Sequence, residues 1–167
     1  MTETTKTPKT SRKKLKAAIA IRHGEYSDQT SELNPEGIEQ VKFLAGRLKK
    51  LVKPRHIVKI FSSPVVRARQ SAEILAEHLK TQVQEIGALG YDEFESGQHQ
   101  MNELLGQKDG VDVIVAVTHF VAPSGIIDAF SRKFFSKTAF EKAYESRKGD
   151  GHMICLKTGT VTKSLLA

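Results

Sequence analysis

Ile19-Ala20-Ile21-Arg22-His23-Gly24-Glu25 is the stretch from which the fold of this 167-residue chain is read. Together with Ala17 and Ala18 it is apolar at every position up to Ile21. A strand buried on both faces reads as a continuous apolar run rather than an alternating one, which predicts a central parallel strand here. Arg22 and His23 then stand at its carboxyl end. In open α/β sheets ligands sit in the crevice beyond those ends, and Gly24 lets the backbone turn sharply and approach a ligand.

Moving outward, Asn34-Pro35 places a capping residue before a proline at the first helical position, and Ile38, Val41, Leu44, Ala45, Leu48 and Leu51 recur at helical spacing up to Pro54. His56–Phe61 reads as a second strand. Ser62-Ser63-Pro64 repeats the cap-and-proline signal for a helix over 64–80, with Ala68, Ala72, Leu75, Ala76 and Leu79 on its apolar side. A short strand over 82–86, an acidic Gly-punctuated loop over 87–98 and a helix over 96–105 lead to Val111–Val117, the strongest buried strand of the chain. It ends at Thr118-His119, and Pro123-Ser124 start a further helix. Thr138 and Glu141 have capping-box spacing, which predicts a short helix there. Segments 152–156 and 161–165 read as a terminal hairpin or two edge strands. The aromatics Phe130, Phe134, Phe135, Phe140 and Tyr144 are expected in the core. These elements predict a three-layer α/β/α sandwich with a mostly parallel central sheet.

Length and a 39% hydrophobic content suit one ordinary domain. No apolar run approaches the roughly 20 residues that span a bilayer, and the polar amino terminus lacks the apolar stretch of a secretory signal. The single Cys155 has no partner for an internal disulfide and is read as a small buried hydrophobe, consistent with a reducing, cytoplasmic setting. Of the net charge of +7, five units come from residues 1–16, where Lys6, Lys9, Arg12, Lys13, Lys14 and Lys16 face Glu3. The tail therefore reads as a disordered basic arm ahead of a domain over 17–167. The remaining surface is not basic enough for a nucleic-acid-binding face, so nucleic acid is an unlikely partner, and no membrane association is expected.

The six histidines form no tight ligand cluster with carboxylates or the cysteine, so no metal and no cofactor is expected. His23 and His119 both end strong strands. If those strands are neighbours, one crevice holds two imidazoles and the Arg22 guanidinium. Arg67 lies in the first turn of its helix, where the macrodipole disfavours a cation unless an anion is close. Such planar, bidentate donors suit a phosphoryl group, and a histidine can carry that group covalently. For this the attacking nitrogen must be unprotonated, with a partner such as a carbonyl near Gly24 fixing the tautomer.

These segments resemble the histidine phosphatase superfamily, also called phosphoglycerate mutase-like. Its amino-terminal motif appears as Arg22-His23-Gly24-Glu25, its Leu-Thr-x-x-Gly helix start as Leu33-Asn34-Pro35-Glu36-Gly37, and its Ser-Ser-Pro-x-x-Arg-Ala-x-Gln-Thr-Ala segment begins at Ser62 and includes Arg67. Val117-Thr118-His119 stands where the second histidine follows the late strand. The resemblance implies that His23 is the nucleophile, that Arg22 and Arg67 hold the phosphoryl oxygens, that His119 donates to the transferring group, and that Glu25 lines the rim.

Two departures bear on the substrate. Members acting on phosphate esters usually carry a glutamate, as Leu-x-Glu, as general acid, whereas here Leu89 is followed by Gly90 and Tyr91, with Asp92 and Glu93 as nearby substitutes. Phe120 also replaces the glycine common after the second histidine. A departing alkoxide gains about 10²–10⁴-fold from general acid catalysis, whereas an imidazole leaving group has a pKa of about 6.5 and needs less help. The compact chain resembles the SixA-type branch, which removes phosphate from phosphohistidine in signalling proteins. A phosphorylated protein is thus the expected substrate, with a small phosphorylated metabolite, cleaved by a phosphomonoesterase, as the alternative. A non-catalytic phosphate-binding adaptor is a further alternative.

Overall fold

In the computed structural model, residues 14–167 are described, so most of the basic arm (residues 1–13) lies outside the described residues. Six strands, β1 (Ala17–Arg22), β2 (Val58–Ser62), β3 (Val83–Glu85), β4 (Val113–Thr118), β5 (Gly151–Cys155) and β6 (Val161–Thr162), form one sheet in the order β3-β2-β4-β1-β5-β6. The first four of these in space are mutually parallel, and β5 runs antiparallel to both β1 and β6. The expected mostly parallel sheet is thus present.

The alternation within each strand explains the layers. Ile19, Ile21, Val113, Val115 and Val117 face α1 (Pro35–Leu51) and α2 (Val66–Leu79) through Val41, Leu44, Leu48, Ala72 and Leu75. Ala18, Ala20, Ile114 and Ala116 face α3 (Gly97–Leu105) and α4 (Ala122–Phe135) through Met101, Leu104, Ile126 and Phe130. Both faces of β1 and β4 are covered, which is why neither strand alternates in sequence. The result is the three-layer α/β/α sandwich. Among the described residues no helix is long and apolar enough to cross a membrane.

Upstream of β1, Lys16 joins the sheet end, donating its backbone N–H to Asp112 O at 2.7 Å and accepting from Leu156 N at 2.8 Å. Asn34 caps α1 as expected, its Oδ1 accepting from Gly37 N at 2.8 Å, with Pro35 in the first turn.

Several local expectations are corrected. Helix α2 starts at Val66, not Pro64, because Ser63 is turned inward and its Oγ accepts the Val65 N–H at 3.2 Å in a short turn ahead of the helix. No helix forms around Thr138–Glu141. Asp128 Oδ1 on α4 accepts the N–H groups of Ala139 and Phe140, and Ser124 Oγ accepts that of Tyr144, so this segment's donors are already bonded to α4. Phe130 and Phe140 are buried, but Phe134, in the last turn of α4, and Tyr144, in the irregular segment that follows, are half exposed. Cys155 is only partly buried, close to the edge of the sheet.

Helices α3 and α4 meet through glycine. A Cβ on Gly97 would lie 2.2 Å from Gly125 O, a backbone atom that has no side-chain freedom to move away. Gly97→Ala is therefore expected to lower unfolding stability by roughly 1–3 kcal/mol in chemical denaturation. Gly46→Ala, on exposed α1 surface with nothing within 4 Å, should instead raise it by about 0.5–1 kcal/mol.

Candidate active site

Strands β2, β4 and β1 lie side by side, so their carboxyl ends deliver Ser63, His119 and His23 to one crevice. Arg22 pairs in register with Thr118, and His23 N donates to Thr118 O at 3.1 Å. The two histidine rings are 5.2 Å apart between centroids, tilted by 59°. The bend after β1 requires glycine. A Cβ on Gly24 would stand 2.7 Å from Gly37 O, and one on Gly37 would stand 1.9 Å from Glu25 O, so the loop after the strand lies directly on the start of α1.

His23 is buried, and its Nδ1 lies 2.8 Å from Gly24 O. A carbonyl oxygen can only accept, so the proton is on Nδ1 and the lone pair on Nε2. That lone pair accepts from Arg67 Nε at 3.1 Å. Burial pushes the His23 pKa down to about 3, the positive charges of His119, Arg67 and Arg22 add to the shift, and the Gly24 carbonyl opposes it. His23 is therefore a neutral imidazole at neutral pH.

His119 Nε2 lies 2.8 Å from Ser63 Oγ. Ser63 Oγ already accepts from Val65 N, and Nε2 is the acceptor within its reach, so we assign the hydroxyl proton to the Ser63–His119 bond. The ring proton of His119 then sits on Nδ1, which is buried and without a hydrogen-bond partner among the described residues. Burial, followed by Arg67, lowers the His119 pKa to about 4, with Asp92 opposing and Arg22 adding.

The two arginines approach from different elements. Arg67, in the first turn of α2, donates from Nη1 to Ser31 Oγ at 2.9 Å, and its guanidinium lies 4.4 Å from the Tyr26 ring. No side chain caps the start of α2. Arg22 donates from Nη1 to Ser146 O at 2.8 Å and faces Glu145 at 3.5 Å, while its Nε is buried with no partner among the described residues. Buried donors without acceptors are rare enough to require a reason, and two of them, Arg22 Nε and His119 Nδ1, belong to the chain neighbour of His23 and to the histidine whose ring lies 5.2 Å from it. An oxyanion placed there supplies acceptors for both.

The structure thus brings together Arg22, His23, Arg67 and His119. Glu25 follows in the loop after β1, its Oε1 2.7 Å from Lys148 Nζ, and that hydrogen bond holds its carboxyl below the usual range. The two substitute acids separate. Glu93 accepts from Ser96 Oγ at 2.9 Å and belongs to the start of α3, whereas the charge of Asp92 acts on His119. Tyr91, at the place of the expected glutamate, is exposed and packs near His99. Among the described residues no group of histidine, cysteine and carboxylate side chains is arranged to hold a metal.

Sequence reasoning missed the supporting residues. Ser63 has the sequence pattern of a helix cap, and its place in the Ser-Ser-Pro segment is the signal for a role at the site. Ser71 accepts from Gly24 N at 3.1 Å and donates to Arg67 O at 2.8 Å, joining the β1 loop to α2. Ser146, which holds Arg22, is itself bonded to buried His152 at 2.8 Å, and His152 Nδ1 donates to Lys163 O.

Because three buried histidines have depressed pKa values, acid should destabilise the fold. Unfolded histidine titrates near 6.5, so below that pH the unfolded chain binds more protons than the folded one. The stabilisation is fully present above about pH 6.5 and is lost as pH falls toward the folded values of about 4 and 3. Between pH 7.5 and 5 the loss is on the order of 2 kcal/mol for each of His23 and His119. Denaturation midpoints across that range measure it, and His119→Asn should flatten the dependence.

The sequence profile of the histidine phosphatase superfamily (branch 1) matches residues 18–103. No curated protein sequence gives a significant match. Solved structures with the same fold include the ecdysone phosphate phosphatase of Bombix mori in complex with tungstate, at 11% identity and a TM-score of 0.70, covering 90% of this chain and 93% of that one. A phosphoserine phosphatase mutant of Entamoeba histolytica in complex with phosphoserine is similar at 17% identity and a TM-score of 0.61, covering 88% and 94%. The protein histidine phosphatase SixA complexed with tungstate is similar at 17% identity and a TM-score of 0.56, covering 90% and 97%.

Proposed function

The chain belongs to the histidine phosphatase superfamily, and from that membership we propose that it is a phosphatase working through a covalent phosphohistidine at His23, with phosphohistidine in a signalling protein as its substrate. The observation that carries the mechanism is the fixed tautomer of His23, with its Nδ1 proton on Gly24 O and its Nε2 lone pair directed at Arg67. When a phosphoryl group enters, Arg67, Arg22 Nε and His119 Nδ1–H donate to its oxygens. The Nε2 lone pair forms the new P–N bond as the bond from phosphorus to the leaving group breaks. Water then attacks phosphorus, the P–N bond breaks, and its electron pair returns to Nε2. The proton lost by water passes to the carboxylate or solvent that protonated the leaving group, so the enzyme is regenerated.

The substrate class rests on the acid. The position of the missing glutamate is held by exposed Tyr91, and Asp92 is the carboxylate whose charge reaches His119. A substrate whose leaving group is an imidazole tolerates an acid that is not the usual glutamate, because the ring can be protonated before it departs. An ester substrate remains the second reading, favoured by Asp92 itself. Rates on a phosphohistidine-bearing protein and on a panel of phosphate esters, each with wild type and Asp92→Asn, separate the two. We expect the phosphohistidine protein to be the best substrate and Asp92→Asn to change its rate less than threefold. Strong preference for one ester, with a loss of about 10²-fold in Asp92→Asn, overturns the phosphohistidine assignment.

A further inference from the structure

Phe120 follows His119 directly, and its backbone conformation opposes its bulky side chain. Its φ is +45°, in the left-handed region, which is uncommon for any residue with a Cβ and least tolerated by bulky ones. Such a conformation costs on the order of 1 kcal/mol or more relative to glycine. The turn is held by Ala122 N donating to His119 O at 2.9 Å, which a glycine at 120 would satisfy equally well. The ring is not repaid by burial, since it is 41% exposed. It lies over the Arg22 guanidinium, 5.1 Å from ring centroid to Cζ.

On the Arg67 side, the Tyr26 ring covers the second guanidinium at 4.4 Å and meets the His23 ring edge-on at 5.2 Å. Each phosphoryl-directed arginine therefore carries an aromatic ring beside it. In an in-line transfer the leaving group departs on the side away from His23 Nε2, and the Phe120 and Tyr26 rings, each set against one of the two arginines, are the aromatic surfaces it can meet. A small aliphatic leaving group has no flat face to lay on such rings, whereas a planar ring stacks on them.

We infer that Phe120 is a specificity-determining residue, and that the crevice selects phosphoryl groups carried on a planar aromatic or heteroaromatic ring. This rests on the phosphoryl-site reading above and narrows its substrate class. If Phe120 only shielded Arg22 from water, its removal would weaken every phosphoryl ligand alike.

The test uses phenylphosphonate and methylphosphonate, whose P–C bonds resist hydrolysis, with binding to the full-length protein measured by calorimetry. The wild type should bind phenylphosphonate about two- to tenfold more tightly than methylphosphonate. Phe120→Gly, which relieves the backbone strain, and Phe120→Asn, which tolerates the left-handed conformation without a ring, should both abolish that ratio and leave methylphosphonate affinity within about twofold of wild type. Equal binding of the two ligands by the wild type, or equal loss of both in the variants, overturns the inference while leaving the phosphoryl site intact. Failure of the wild type to bind either ligand overturns the phosphoryl-site reading, and the inference falls with it.

Discussion

His23→Ala is expected to lower turnover of the best substrate by at least about 10⁴-fold, the scale of loss when a nucleophile is removed from a group that acts as a unit. Nε2 carries the one ring lone pair of His23, because Nδ1 holds its proton on Gly24 O, and the Arg67 Nε that donates to Nε2 turns to the phosphoryl oxygens when substrate enters. His119 cannot substitute, since its Nε2 is bonded to Ser63 and its Nδ1 bears the ring proton on our assignment. The variant should still bind inorganic phosphate, because Arg22, Arg67 and His119 remain in place. Loss of turnover with retained phosphate binding identifies a missing nucleophile rather than a collapsed crevice. Turnover within tenfold of wild type contradicts the assignment.

Arg67→Ala should reduce kcat by about 10²–10³-fold, the usual cost of removing one preorganised donor from a developing negative charge. Three contacts fix the orientation of this side chain: Nε on His23, Nη1 on Ser31 Oγ, and its face on Tyr26. A lysine reproduces the charge but not the planar fork, so Arg67→Lys should recover less than a tenth of the lost rate. The substitution also has a pH signature. Arg67 lowers the pKa of both His23 and His119, so its removal raises them. The acid limb of the rate profile of Arg67→Ala should therefore lie at higher pH than that of the wild type. A decrease in kcat with no displacement of the acid limb would indicate that Arg67 only shapes the crevice.

The parts of this architecture legible in sequence are those governed by local chemistry. Ala17–Ile21 and Val113–Val117 read as central strands because burial on both faces removes every polar residue from them, and their adjacency in the sheet brings His23 and His119 together. Asn34-Pro35 read as a helix start because capping needs only neighbours in the chain. The failures occur where a distant residue takes a local role. Thr138–Glu141 has a helix-start pattern, but Asp128 and Ser124 on α4 capture the donors that a helix would have used. Ser63 resembles a cap, yet across 56 residues of sequence its hydroxyl reaches His119. The carbonyl of Ser146 that holds Arg22 lies 124 residues away and carries no side-chain chemistry to mark it. Asp92 and Glu93 were equivalent as letters. They separate in space because Ser96 holds Glu93 at the start of α3.

Trapping of the phosphoenzyme tests the covalent role of His23 most directly. The protein is mixed with a labelled phosphohistidine protein or aryl phosphate, quenched in base within the first turnover, and mapped by peptide. The account predicts an acid-labile, base-stable phosphoryl group on Nε2 of His23, present in the wild type and absent from His23→Ala. Turnover that proceeds with no label on the chain, or with the label on any other residue, would contradict it.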